Sequence, residues 1–411
     1  MMCNLIFILL CTFLTQLVEG HGNTENLQVR TPLGDIRGSI IQSALGKSIF
    51  SFRGIRYAKA PVGELRFKPP IPAGKWDGVY DATKDGPLCP QPGNITISED
   101  CLLLNVYTTK LSSAHHNPKR PVMFYIHPGG FYVFSAVSRW LGPRYFLDQD
   151  IVLVTINYRL ASLGFISTGD HLAPGNNGLK DQVVALKWVK ENIASFGGDP
   201  NLVTIMGYSA GGVSVGTHLV SPMSRGLFHR AIAKSDLVFG QWPIGNHQFN
   251  LAQKQAQLVG CPDDTSENII TCLKTKSAKE LADSLVGFAE YGDDPVLIWT
   301  PVIELDFGQE RFLTEHPIRS VLNGNFQKVP IMAGITEEEF SYLALGIVSN
   351  PQLLIQMDDE FARVAPIAFI YERNTTRSQM VSKRLREEFL GSGPLTQSSV
   401  RGLGYVNTLL V

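Results

Sequence analysis

Residues 207–211 (Gly-Tyr-Ser-Ala-Gly) constrain this 411-residue chain more than any other segment. They follow the apolar run 202–206, which is typical of a buried strand, and a helical pattern begins near Ala210. A serine at a strand–turn–helix junction adopts strained backbone geometry, and its small neighbours leave room for the adjacent strand and helix. The alternative is a Gly-Ser turn that only caps a helix. The strand before it favours an exposed nucleophile at Ser209.

A second glycine-containing segment follows another apolar run, 121–126. Residues 127–131 read His-Pro-Gly-Gly-Phe, and such a glycine pair lets backbone N–H groups approach a substrate oxygen closely. With the N–H group of Ala210, those of Gly129 and Gly130 would form a three-donor oxyanion hole. Taken alone, the segment also fits an ordinary loop between a strand and a helix.

The arrangement of apolar runs predicts the fold class. Residues 26–58 indicate a β meander, whereas the later runs 121–126, 151–156 and 202–206 are short and continuously apolar, as in strands buried on both faces. An amphipathic helix is predicted over 178–196, and Gly-Gly-Asp-Pro ends it. Alternating strands and helices favour an α/β fold with a mostly parallel sheet and helices on both faces. We find no linker that would divide residues 21–411.

Composition and the N-terminus bear on compartment and partners. Hydrophobic residues make up 44% of the chain, charged residues 18%, and the formal charge is −1. This balance gives no electrostatic case for binding nucleic acid or an anionic membrane. The apolar run 5–17 is too short to span a bilayer and is followed by small residues. We therefore expect residues 1–20 to be a signal peptide and the mature chain to be secreted.

Four cysteines lie beyond residue 20, namely Cys89, Cys101, Cys261 and Cys272. Four cysteines allow three different pairings. The two local pairings would each close a short loop. No Cys-x-x-Cys or histidine pair accompanies them, so disulfides are favoured over a metal site. Asn94 and Asn374 begin Asn-x-Thr sequons and are candidate glycosylation sites.

With these motifs in view, the chain resembles the type B carboxylesterases, in the cholinesterase and insect-esterase group of the α/β-hydrolase fold. The resemblance extends through nearly the whole mature chain. Besides the two glycine motifs, it rests on residues 98–102 (Ser-Glu-Asp-Cys-Leu), 157–160 (Asn-Tyr-Arg-Leu), 174–182, 196–200 (Phe-Gly-Gly-Asp-Pro) and 224–228. It implies a carboxylic ester hydrolase that acts through an acyl-enzyme on a small-molecule ester, without metal or organic cofactor.

The resemblance also implies roles for individual residues. It pairs Cys89 with Cys101 and Cys261 with Cys272, and it implies structural ion pairs of Arg66 with Glu99 and of Arg159 with Asp181. The triad acid is implied at Glu339, which follows the predicted strand 329–333. Because Glu337, Glu338 and Glu339 are consecutive, the residues alone leave that choice open. Three positions depart from the family pattern, namely Pro128, Tyr208 and Asp236.

The catalytic base is the exception. In this fold the order is serine, acid, histidine, and no histidine follows Glu339. Residues 405–411 are apolar and carry no signal of a terminal helix. We therefore expect a chain truncated before the histidine, without the C-terminal part of the fold, and inactive or nearly so as it stands. The alternatives are a non-catalytic binding or adhesion relative and a truncated isoform that binds esters.

Overall fold

A computed structural model describes residues 27–113, 116–235, 237–240, 242 and 244–409. The predicted signal peptide, residues 1–20, and Asp236 lie outside the described residues. Eleven strands are formed in the described part of the chain: β1 (Gln28–Thr31), β2 (Gly34–Arg37), β3 (Ser39–Gln42), β4 (Ser48–Arg56), β5 (Val79–Asp81), β6 (Leu103–Thr108), β7 (Arg120–Ile126), β8 (Val152–Ile156), β9 (Gly198–Tyr208), β10 (Arg230–Lys234) and β11 (Ile331–Gly334).

Eight of these strands form the central sheet, in the order β11-β10-β9-β7-β8-β6-β4-β3. Five neighbouring strands run parallel, namely β8, β7, β9, β10 and β11. At the other end of the sheet, β6, β4 and β3 are joined antiparallel. The sheet is therefore mixed, because the N-terminal hairpin joins it directly. β1, β2 and β5 form a separate three-stranded sheet. The predicted meander is thus divided between the two sheets.

Side-chain alternation along β7 explains why this run lacks polar positions. Val122, Phe124 and Ile126 point into the main hydrophobic core, whereas Met123 and Tyr125 face a second cluster on the other side of the sheet. Successive side chains of a strand point to opposite faces, so a strand covered on both sides must be apolar throughout. The segment around Leu147 covers that second face.

Twelve α-helices occur among the described residues: α1 (Ala161–Phe165), α2 (Asn177–Asn192), α3 (Ala210–Val220), α4 (Phe249–Leu258), α5 (Ser266–Thr275), α6 (Ala278–Asp283), α7 (Pro317–Leu322), α8 (Ser341–Ser349), α9 (Pro351–Asp359), α10 (Phe361–Ala368), α11 (Thr376–Leu385) and α12 (Val400–Leu409). The predicted helix over 178–196 corresponds to α2 and a following 3₁₀ turn, which Gly197 ends at φ 82°. No helix in the described ranges is long and apolar enough to cross a membrane.

Helices α8 to α12 share a hydrophobic cluster of their own, which is distinct from the core of the main sheet. Val364 from α10 and Leu403 and Val406 from α12 are buried in it. Residues 405–411 carry no sequence signal of a terminal helix, and the expectation that none forms was wrong, because α12 extends to Leu409. Packing of Leu403 and Val406 against neighbouring helices stabilises α12, and that tertiary contribution has no local sequence signal.

Candidate active site

Ser209 occupies the turn between β9 and α3, with φ 53° and ψ −124°. This conformation is strained for a residue with a side chain, and it persists because the neighbouring backbone is fixed. The Ser209 N–H donates to the carbonyl of Lys234 on β10 at 2.9 Å. Its side chain is partly exposed, and Tyr208 beside it is 41% exposed. The turn therefore presents a hydroxyl at the carboxyl end of the parallel strands.

Close packing accounts for both glycines of the motif. A Cβ atom on Gly207 would lie 2.0 Å from the Gly211 carbonyl oxygen, and one on Gly211 would lie 2.2 Å from the carbonyl oxygen of Ile126. Ile126 is the last residue of β7, which pairs with β9. The first turn of α3 is thus held against the end of β7, directly beside the loop that follows it.

That loop carries Gly129 and Gly130, at φ 111° and 60°. A Cβ atom on Gly129 would meet the Val133 carbonyl oxygen at 2.1 Å, and one on Gly130 would meet the Tyr132 ring at 2.4 Å. The Gly129 carbonyl accepts from the N–H groups of Tyr132 and Val133. Within the described ranges, no group accepts a hydrogen bond from the N–H of Gly129, Gly130 or Ala210. All three N–H groups are therefore without an acceptor among the described residues.

His127, at the start of this loop, is engaged by contacts within the loop and with Tyr158. Its ring stacks on Tyr158 at a centroid distance of 4.3 Å, and the Tyr158 hydroxyl donates to the His127 carbonyl at 3.0 Å. Nδ1 lies 2.7 Å from the Pro128 carbonyl oxygen. Burial lowers the pKa of His127 to about 4, so the ring is neutral at pH 7. Its contacts mark it as part of the loop's support.

Gln91 contributes to the loop in a way that sequence reasoning missed. It lies between Cys89 and Cys101, and its amide forms a reciprocal pair with the backbone of Phe134, at 2.9 Å for each bond. The disulfide loop is therefore tied to the candidate oxyanion loop. The available sequence signal was only the position of Gln91 two residues after a cysteine, which does not reveal a partner 43 residues away.

Glu339 is the buried member of the three consecutive glutamates, at 6% exposure, whereas Glu337 and Glu338 are exposed. It lies five residues beyond the end of β11. Its Oε1 accepts from the Thr336 N–H at 2.6 Å, and its own N–H donates to the Thr408 hydroxyl at 3.1 Å. Across the described part of the chain, no histidine hydrogen-bonds Ser209 or Glu339.

A second buried histidine is also engaged elsewhere. His218 on α3 contacts Ser224 Oγ through Nδ1 at 2.6 Å and Gln182 Oε1 through Nε2 at 2.9 Å. Gln182 in turn donates to Ser214 at 3.1 Å. Burial lowers the pKa of His218 to about 3, so it is neutral. This network links α2 to α3.

Two disulfides and two ion pairs involve residues that the sequence singled out. Cys89 is bonded to Cys101 and Cys261 to Cys272, with S–S distances of 2.08 and 2.06 Å. Arg66 Nε lies 2.7 Å from Glu99 Oε1, and Arg159 Nη2 lies 2.7 Å from Asp181 Oδ1. Arg66 also donates to three carbonyls at the end of α5, so it joins the two disulfide-bonded regions. Asn94 and Asn374 are exposed.

Three further buried ionisable residues were not identified from the sequence. Lys180 Nζ lies 2.6 Å from Glu304 Oε2, and both side chains are inaccessible. Asp294 is 4% exposed, and among the residues that the structure describes its Oδ1 has no hydrogen-bond partner. Burial, and then the charge of Asp293, raise the pKa of Asp294 to about 7. Burial raises the pKa of Tyr132 in the glycine loop, and the charge of Asp294 contributes to the rise.

Comparison with known proteins gives one consistent result. The model of a family described as "Carboxylesterase family" matches residues 25–408. A carboxylic ester hydrolase of Bombus ignitus is 38% identical over 92% of this chain and 68% of its own length. Esterase FE4 of Myzus persicae is 43% identical over 81% of this chain and 58% of its own length. The chain thus spans about two thirds, or less, of the curated relatives that it matches.

A solved structure agrees with these matches. Juvenile hormone esterase from Manduca sexta, in a crystal structure with OTFP covalently attached, superimposes with a TM-score of 0.81 at 29% identity. The match covers 94% of this chain and 73% of that chain. The architecture described above is accordingly that of an α/β-hydrolase.

Proposed function

Because this chain belongs to the carboxylesterase family, and is by family a carboxylic ester hydrolase, we propose that Ser209 is its nucleophile. The Oγ of Ser209 attacks the ester carbonyl carbon and forms a tetrahedral intermediate. Its collapse releases the alcohol and leaves an acyl-enzyme, which water then hydrolyses to the acid. The observation that carries the proposal is the strained Ser209 backbone at the start of α3.

Backbone donors stabilise the charge that develops in this step. The N–H groups of Gly129, Gly130 and Ala210 come from two neighbouring elements, the loop after β7 and the first turn of α3. They hold the oxyanion, and the helix N-terminus adds its positive end. Removing one such donor from an enzyme of this kind costs on the order of 10²-fold or more in turnover.

Glu339 would orient a histidine base in this scheme, and its burial beside α12 supports that role. The 411-residue sequence has no histidine after Glu339. His127 and His218 are held by other partners, and in the described part of the chain neither hydrogen-bonds Ser209. We therefore propose that residues 1–411 alone turn esters over slowly, because Ser209 retains its proton. The oxyanion donors would still leave a residual ~10³-fold advantage over water.

Labelling with a fluorophosphonate tests the proposal. We expect slow modification of the Ser209 peptide, detected by mass spectrometry, and no modification in Ser209→Ala. Added imidazole should accelerate the reaction by supplying the base, and it should have no effect on Ser209→Ala. Labelling that is equal in both proteins, or that occurs on another residue, would sink the assignment of Ser209.

The second candidate is a protein that binds esters without hydrolysing them, favoured by the lack of a histidine bonded to Ser209 or Glu339 among the described residues. Equilibrium binding of a slowly hydrolysed aryl ester distinguishes the two. Binding without any label, even with imidazole, supports the binding protein. A label that grows with imidazole supports the esterase.

Secretion completes the proposal, with residues 1–20 removed as a signal peptide and residues 21–411 as one hydrolase domain. Two disulfides support an oxidising compartment. One relative, 38% identical, is a venom carboxylesterase of Apis mellifera. Expression in insect cells should place the chain in the medium. Asn94 and Asn374 should each add mass that an endoglycosidase removes, and Asn→Gln changes test each site separately.

A further inference from the structure

A cavity of about 1300 Å³, lined on one side by Trp242, lies beside the oxyanion loop. Its walls come from α4, from residues 287–300, and from helices α10 and α11 with the connection between them. Ser209, Gly129, Gly130 and Glu339 do not line it. The volume exceeds the roughly 300–1,000 Å³ that is typical of small-molecule sites. The cavity can therefore receive a ligand with a long body.

One part of the cavity wall is apolar. Trp242 and Phe288 are buried in its wall, and Leu251, Leu297 and Val381 are half-buried along it. The ring of Trp242 also meets the ring of Phe131, the residue after Gly130, at a centroid distance of 5.3 Å. The Trp242 side of the cavity thus adjoins the oxyanion loop, and an alkyl chain that reaches it would gain by leaving water.

The polar lining is different in character. Lys254 and Arg377 are exposed and, across the described ranges, form no ion pair with a carboxylate. Arg373 pairs with Glu290 on the facing wall at 2.9 Å, so their charges cancel. Glu372 is the one remaining carboxylate of the lining, which leaves the lining with a net positive charge. A ligand that matches both features has an apolar body and a negative head group.

From this complementarity we propose that the cavity is a binding site for a long-chain carboxylate. The chain lies along the apolar walls towards Trp242, and the carboxylate lies near Lys254 and Arg377. A carboxylate beside Lys254 and Arg377 gains charge-assisted hydrogen bonds that a neutral head group cannot form, and a compact anion would leave the apolar part of the wall exposed to water. The inference goes beyond the proposed function, because it needs no reaction at Ser209.

Tryptophan fluorescence measures binding directly. Lauric acid bearing a bromine at the end of its chain should quench Trp242 in the Ser209→Ala protein. Trp242→Phe should remove the quenched component, which separates it from the other four tryptophans. The charge-reversed double variant Lys254→Glu/Arg377→Glu should weaken binding by about tenfold or more. Leu251→Asp, which places a charge in the apolar part of the wall without adding a tryptophan, should weaken binding as strongly.

Brominated lauryl alcohol is the matched neutral probe, and its affinity should be unchanged in the double variant. Equal loss of both probes would show that the double variant alters the fold rather than the charge. Quenching of Trp242 that persists unchanged in Leu251→Asp, or a carboxylate affinity that does not respond to charge reversal, would overturn the proposal. Because every measurement uses Ser209→Ala, failure of the esterase assignment would leave these results unaffected.

Discussion

At the scale of single residues, the packing around Gly211 makes a sharp prediction. Gly211→Ala would place a Cβ atom 2.2 Å from a carbonyl oxygen of β7, so α3 must shift away from the sheet. We expect a loss of about 1–3 kcal/mol in the free energy of unfolding and reduced labelling of Ser209. Urea unfolding and fluorophosphonate labelling measure the two effects.

Gly346→Ala on α8 is the matched control, since a Cβ atom there meets nothing within 4 Å. It should stabilise the protein by about 0.5–1 kcal/mol and leave labelling unchanged. A Gly211→Ala protein as stable and as reactive as this control would contradict the steric account of the turn.

Asp294 predicts a pH dependence of stability. Its pKa is about 7 in the folded protein, mainly through burial, and near 3.8 when unfolded. At a pH between these two pKa values, Asp294 holds a proton in the folded state that it has lost in the unfolded state. The free energy of unfolding therefore falls as pH rises from 4 to 7 and is then constant. Asp294→Asn should remove this fall, which is worth a few kcal/mol. Thermal unfolding of both proteins at pH 4 and pH 8 gives the comparison.

At the scale of elements, the Lys180–Glu304 pair joins α2 to the segment before α7. Glu304 also accepts from Asn176 at 2.9 Å and from the Phe312 N–H at 2.8 Å. Lys180→Met would leave a buried carboxylate without its counter-charge, at a cost of about 3–5 kcal/mol. Adding Glu304→Gln should recover much of this, because the amide oxygen keeps both donors. Denaturant midpoints measure each step.

The same change at an exposed pair provides the control. Lys279 on α6 pairs with Asp283 while both side chains are about half exposed. Lys279→Met should cost no more than about 1 kcal/mol. If the two Lys→Met variants lost equal stability, burial would not be the reason for the effect at Lys180.

Elements with local signals were predictable, and those held by distant partners were not. The strand–turn–helix around Ser209 is determined by a short apolar run and two glycines, so the sequence predicted the turn and the start of α3, although β9 extends over Gly198–Tyr208 rather than 202–206. Lys180 lies inside a recognised motif, yet its partner is 124 residues away and gives no sign of the pairing. Asp294 next to Asp293 looks like a solvated pair of acids, and only tertiary packing buries it.

At the scale of the whole molecule, the central sheet has an open edge at β11. This strand pairs with β10 alone, and all four of its residues are exposed in the described part of the chain. Ile331 is 46% exposed and Met332 68%. An apolar strand with unpaired backbone groups is a template for pairing with another chain. We therefore expect the 411-residue protein to self-associate through β11.

Met332→Lys should suppress this association, because a charged side chain on an edge strand opposes pairing with a second edge. Leu45→Lys is a suitable control, since Leu45 is 77% exposed but lies in a turn rather than on a strand. Sedimentation velocity at low and high protein concentration should show larger species for the unmodified chain and for Leu45→Lys, and fewer for Met332→Lys. Association that persists unchanged in Met332→Lys would place the contact elsewhere on the surface.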